Sequence, residues 1–186
     1  NEINRQIITG YFMKKAFMNE IPIREHMAER NNFLNLEELA SPHSSLTKQM
    51  NILETAKYLV LTIFNEALNE FGQDLKNEQM LGEALANCFM DIYATDSTLT
   101  RVNQQVGSNG HHSVLIQIAQ VLTAETSLKI LNRALLSLND IYHGKVPPDV
   151  MELYNTFQHR MLPRADVSQL KREIAEYVYL QRKYPF

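Results

Sequence analysis

The sequence predicts an all-α fold, an antiparallel up-down four-helix bundle with an additional N-terminal helix and a short helix before the last one. Three observations carry that prediction. The longest uninterrupted helical period covers residues 77–106, where Leu81, Leu85, Cys88, Ile92, Thr95, Leu99, Val102 and Val106 alternate steps of four and three. Only six Gly and six Pro occur in 186 residues, few for a β fold with many turns. The links between the periodic stretches are short, as they are between antiparallel neighbours.

A stripe of one apolar side chain per turn is buried by neighbouring helices of similar length. At about 1.5 Å per residue, residues 77–106 make a rod of roughly 45 Å, and the chain supplies partners on both sides. Residues 1–18 read as a helix carrying Ile3, Ile7, Tyr11 and Met18 on one side, joined by Ile8, Phe12 and Phe17. Residues 19–43 hold Pro22, a polar run and Pro42, and read as an acidic connector with one or two helical turns. Ser44 or Ser45 caps the next helix, whose face is Leu46, Met50, Leu53, Ala56, Val60, Ile63, Ala67 and Phe71, and Gly72 ends it. Gly107 and Gly110 break the 77–106 helix. The fourth pattern starts at His112 with Val114, Ile118, Val121, Leu128, Leu131, Leu135 and Leu138, and ends at Gly144. A short helix over 149–161 closes at Pro163, and Asp166 or Ser168 caps the last one, faced by Val167, Leu170, Ile174, Tyr177 and Val178.

The balance of charge narrows the function classes. A formal charge of −3, with no basic run longer than Lys14-Lys15, gives no footprint for a phosphate backbone, so no nucleic-acid partner is expected. No stretch reaches the roughly 18 continuous apolar residues of a membrane span. Met13, Met18 and Met27 beside Phe12, Phe17 and Lys14-Lys15 resemble an amphipathic membrane element, but the acidic connector would be repelled by anionic lipid, so core packing is expected instead. Cys88 is the sole cysteine, sits on the seam, and reads as a small buried hydrophobe in a reducing compartment. The first residue is not Met, which reads as a piece of something larger.

Catalytic and metal chemistry find little support. A di-iron bundle needs Glu-x-x-His pairs, and none is present; Asp140-x-x-His143 is the nearest approach. His111 and His112 point about 100° apart on a helix and do not make a ligand pair. The Gly107 to Gly110 turn lacks the pattern of a phosphate loop. Asp91, Asp96 and Arg101 read as a solvated face or an inter-helix ion pair, and Lys57, at the edge of its apolar face, is expected to pair with Asp91 or Asp96. No catalytic residue and no metal ligand is assigned.

Two stretches carry a family resemblance. Asn1-Glu2-Ile3-Asn4-Arg5 resembles the residues that follow Glu-Gly-Thr in acyl-CoA dehydrogenases. Asn77-Glu78-Gln79, Asp91-Ile92-Tyr93-Ala94, Leu99-x-Arg101 and the closing run from Leu170 to Glu176 are similar to the extra C-terminal helical domain of the very-long-chain members and their longer bacterial relatives. The resemblance implies a parent that holds FAD and oxidises an acyl-CoA to the trans-2-enoyl-CoA, with its glutamate base three positions before Asn1. It also implies that Asn1 and Glu2 touch FAD in the parent, while the chain by itself is inactive and holds no cofactor. The domains implied are 1–18, the end of the last catalytic-core helix; 19–43, the connector; and 44–186, the helical bundle. The implied role is structural: partnering the catalytic domains of the same enzyme, shaping a homo-oligomer, in a bacterial cytoplasm. The alternatives are a freestanding helical adaptor for a partner helix, or a membrane-associating domain. The first helix, cut off from the core it would cover, is expected to pack on a second copy or to fray.

Overall fold

The structure is a computed structural model that describes residues 2–35, 46–106 and 112–182. Among these, seven α-helices occur and no strand: α1 Glu2–Phe17, α2 Ile23–Asn35, α3 Thr47–Phe71, α4 Gln79–Val106, α5 His112–Ile141, α6 Pro148–Met161 and α7 Val167–Gln181. A 3₁₀ turn, Gly72–Asn77, joins α3 to α4. Gly72 leaves α3 at φ 53° and donates its N–H to the Leu68 carbonyl, a conformation that costs glycine little.

Helices α3 and α4 run antiparallel, as the short link requires. Phe64 meets Phe89, and seven residues earlier on α3 Lys57 meets Asp96, seven residues later on α4. Helix α5 packs on both, and α6 and α7 pack on α5 in turn. The seam read from the sequence is buried at Leu81, Leu85, Cys88, Thr95, Leu99 and Val102, with Ile92 half-buried. Two apolar clusters result. The larger is built on α3, the first half of α4 and the second half of α5; the smaller, around Leu46, Leu53, Leu99, Val102 and Val114, sits at the other end.

The most enclosed helix is α5, whose buried face keeps Val114, Leu131 and Leu138 of the expected row and departs from it at Leu128. Ala124, Ser127, Leu131, Ala134, Leu138 and Ile141 are buried at steps of three and four, whereas Leu128 is turned outward and half exposed. Small residues fill this face because several helices approach it closely, and Thr123 and Ser127 return their hydroxyls to the Ala119 and Ala124 carbonyls of α5 itself. The described part of α5, from Ser113, is long and apolar enough to cross a membrane by length and composition, at mean hydropathy 1.3. Half of that stretch is buried among its neighbours, which is how a core helix passes the same test.

Two further departures concern the N-terminal third. Residues 23–35 form a full helix rather than one or two turns: Pro22 occupies its entry, where a missing N–H costs nothing, and Ile23, Met27 and Leu34 place one apolar row on the core. Helix α1 packs against α4 within the same chain, a contact the sequence did not suggest. At the other end, the Asp166 side chain accepts the Gln169 N–H at 2.9 Å as the cap of α7, which rests on α5 through Ile174 and Tyr177 with none of its residues buried. Ser44, Ser45 and the Gly107 to Gly110 break lie outside the described residues.

Candidate docking face and cofactor edge

Helix α1 has two opposed faces. At about 100° per residue, Arg5, Thr9, Phe12, Met13 and Ala16 fall on one side and Ile3, Ile7 and Tyr11 on the other. The first set is committed to the bundle. Arg5 ties Glu83 at 3.0 Å and Asn87 at 3.1 Å, and the Thr9 hydroxyl donates to the Gly82 carbonyl at 2.7 Å. Phe12 stacks on Phe89 at 3.9 Å and meets Phe64 edge-on at 6.4 Å, while Met13 is buried. The second set faces outward: Ile3, Ile7 and Tyr11 are 72%, 63% and 57% exposed, with Phe17 and Met18 beyond them. A solitary exposed leucine is ordinary, but one apolar residue per turn along a helix marks a surface awaiting cover.

Of the two residues implied to touch FAD, Asn1 lies outside the described residues. Glu2 opens α1 and is exposed, with its carboxylate in the first turn where a helix N-terminus favours negative charge. The elements packed most against α1 are α4 and the 72–77 turn, on its committed face. A flavin is held in a cleft that several elements build, and Glu2 by itself offers one exposed carboxylate.

The acidic residues of α4 serve as inter-helix pairs. Lys57 reaches Asp96 at 3.1 Å and Glu54 at 2.8 Å, and Asp91 is paired with Arg133 of α5. The Lys57 pairing expected from the register is therefore present, and Arg101 is exposed and joins neither pair. Among the described residues no group of three His, Cys, Asp or Glu could hold a metal ion. Asp140 and His143 lie at the exposed end of α5. A groove of about 950 Å³ between α3 and α6, lined by Gln49, Thr55, Gln120, Thr123, Asn155 and His159 among others, lies away from the contacts that hold α1.

Cys88 behaves as the seam position demands. Burial pushes its thiol up to about 12, against a smaller opposing effect of Arg133. Above pH 9 the unfolded thiol ionises while the folded one keeps its proton, so its contribution to stability is whole below pH 9 and is lost as pH rises toward 12. Iodoacetamide is expected to leave the folded chain unmodified and to alkylate it in denaturant, and Cys88→Ala should flatten the alkaline fall in stability. Rapid alkylation of the folded chain at neutral pH would show that the thiol is reachable.

Sequence reading missed the latch that seats α1. Arg5 and Thr9 are one turn apart, Arg5 reaching Glu83 and Asn87 and Thr9 the Gly82 carbonyl, but such polar residues on a mixed helix give no hint of their partners.

Comparison with known proteins adds the family. Residues 55–146 match the family model "Acyl-CoA dehydrogenase, C-terminal domain". Over 187 aligned residues the chain is 25% identical to a probable acyl-CoA dehydrogenase of Bacillus subtilis, covering 99% of this chain and 31% of that protein. The crystal structure of an acyl-CoA dehydrogenase complexed with FAD from Bacillus anthracis superposes with a TM-score of 0.86 at 21% identity, over 100% of this chain and 32% of that one. The chain thus spans about a third of the length of both proteins. With the all-helical fold, these matches make the chain similar to the helical C-terminal region of acyl-CoA dehydrogenases.

Proposed function

We propose that the chain is the C-terminal portion of a flavin-dependent acyl-CoA dehydrogenase of the very-long-chain-like type. In this reading α1 completes the catalytic core, residues 44–186 form the extra helical domain, and that domain covers the core and shapes a homo-oligomer. The observation that carries the proposal is the division of α1: one face is spent on α4, and the other offers Ile3, Ile7 and Tyr11 to a body the chain does not contain. Glu2, at the head of that helix, and Asn1 before it in sequence would then form one edge of the flavin site, where they orient the ring system and do not move protons. FAD held there would supply a hydride acceptor for the substrate's β-hydrogen, with the α-proton going to a carboxylate of the parent. Two Bacillus relatives and the single buried cysteine fit a bacterial cytoplasmic enzyme.

The test is a comparison of two lengths. The longer protein should elute from gel filtration with stoichiometric FAD and form enoyl-CoA with an artificial electron acceptor. This chain alone should do neither. Flavin retained by this chain, or a longer protein without flavin, would overturn the reading, and the second result would favour a freestanding adaptor.

A further inference from the structure

We infer that the groove between α3, α5 and α6 is a binding site for a nucleotide-sized anion that carries phosphate and an N–H donor; the inference does not depend on the enzyme reading above. The groove encloses about 950 Å³, within the range of small-molecule sites. Its charge runs against that of the chain. The whole sequence has a formal charge of −3, yet Lys48, Arg160 and Arg164 line this groove with His159, and Glu152 is the one carboxylate among its described lining residues. A cleft lined by one sign of charge concentrates ligands of the other.

The helices that carry these basic residues explain only part of the set. His159 and Arg160 occupy the last turn of α6, an end that favours positive charge whatever lies beside it. Lys48 stands in the first turn of α3, the end that disfavours it, and Arg164 follows α6 outside any helix. Both line the same groove nonetheless. No ion pair among the described residues includes Lys48, His159 or Arg164, so no carboxylate of the described chain neutralises them. Arg160 is anchored in advance: its guanidinium lies over the Phe33 ring at 5.1 Å and donates to the Leu34 carbonyl at 2.8 Å. A donor held in place before binding loses less freedom when a ligand arrives.

The neutral lining narrows the ligand further. Thr55 and Thr123 are buried and donate their hydroxyls to the Asn51 and Ala119 carbonyls of their own helices, so toward a ligand they can only accept. The Gln49 side-chain carbonyl is buried and has no hydrogen-bond partner among the described residues. Such an orphaned acceptor is costly to leave unmet, and an N–H of a bound molecule would meet it. Phosphate suits the basic residues and an exocyclic amine suits these acceptors, so an aminopurine nucleotide answers both.

Isothermal titration of the full chain with ADP and with adenosine, at constant ionic strength, tests the site. ADP should bind saturably with a Kd below about 1 mM and, at about tenfold that concentration, raise the melting midpoint by about 3–6 °C. Adenosine, which lacks the phosphates, should bind at least about tenfold more weakly. Lys48→Glu combined with Arg164→Glu, both at exposed positions, should melt as the unsubstituted chain does without ligand and bind ADP at least about tenfold more weakly. Lys76→Glu combined with Lys129→Glu makes the same change of charge at exposed positions outside the groove and should leave ADP binding unchanged. Absence of saturable ADP binding up to about 10 mM, adenosine binding as tightly as ADP, or equal weakening by the two pairs of substitutions would overturn the site. None of these results bears on whether the longer protein holds flavin.

Discussion

Replacing Phe64 by alanine is expected to cost this chain about 3–5 kcal/mol, the range for removing a large ring from a packed core. Phe64 is fully buried and sits where three helices meet, with Phe12 of α1 at 6.4 Å and Phe89 of α4 at 5.9 Å, both edge-on, while those two rings stack on each other. The cavity opens at the junction of α1, α3 and α4, so no single helix can shift to fill it without losing another contact. For a chain of this size each kcal/mol moves the midpoint by about 2–4 °C, so the melt should fall by roughly 10 °C. Phe64→Leu, which keeps most of the volume, should cost about half as much. A midpoint within about 2 °C of the parent chain for Phe64→Ala would mean that the three rings are not packed as a unit.

How far such a core can be read from sequence depends on what each residue type announces. The α4 seam was legible because Leu81, Leu85, Cys88, Leu99 and Val102 hold one period over six turns, and a stripe that narrow has only one use. The Lys57–Asp96 pair was legible as well, since a cation at the border of an apolar face and a short antiparallel link leave few acids in reach. The face of α5 was legible only in part. Val114, Leu131 and Leu138 of the expected row are buried, but many other buried positions are Ala, Ser or Thr, which a periodic row of large apolar residues passes over, and Leu128, counted in that row, is exposed. Helix α2 hid for a related reason: Ile23, Met27 and Leu34 make a sparse row inside a run of charges, and only packing on α3 gives that row a meaning.

The assignment of Asn1 and Glu2 to a cofactor rests on resemblance alone. Glu2 is one exposed carboxylate on a helix head, and nothing in its surroundings distinguishes it from any other first-turn acid. What the structure adds is the asymmetry of the helix behind it. An isolated reading of 1–18 sees eight or so apolar residues and concludes that they are stranded; the fold shows that Phe12, Met13 and Ala16 are housed and that Ile3, Ile7 and Tyr11 are not.

That asymmetry leads to the second large effect, which should depend on the length of protein in which it is measured. In this chain Ile7→Lys should be nearly silent, within about 0.5 kcal/mol, because position 7 is exposed and makes no core contact here. In the longer protein the same lysine would have to enter an apolar contact without a carboxylate to meet it, and truncating or leaving uncompensated a buried group costs about 2–5 kcal/mol. The expected readout is a flavin-release midpoint lowered by several degrees in the longer protein against an unchanged melt in this chain. Phe12→Ala supplies the contrast, because its ring faces α4 in either setting and its loss should lower both midpoints. If Ile7→Lys were harmless in both lengths, the outward face of α1 would not be a contact with the catalytic core; if it were costly in both, α1 would be seated in this chain through the face assigned here to solvent.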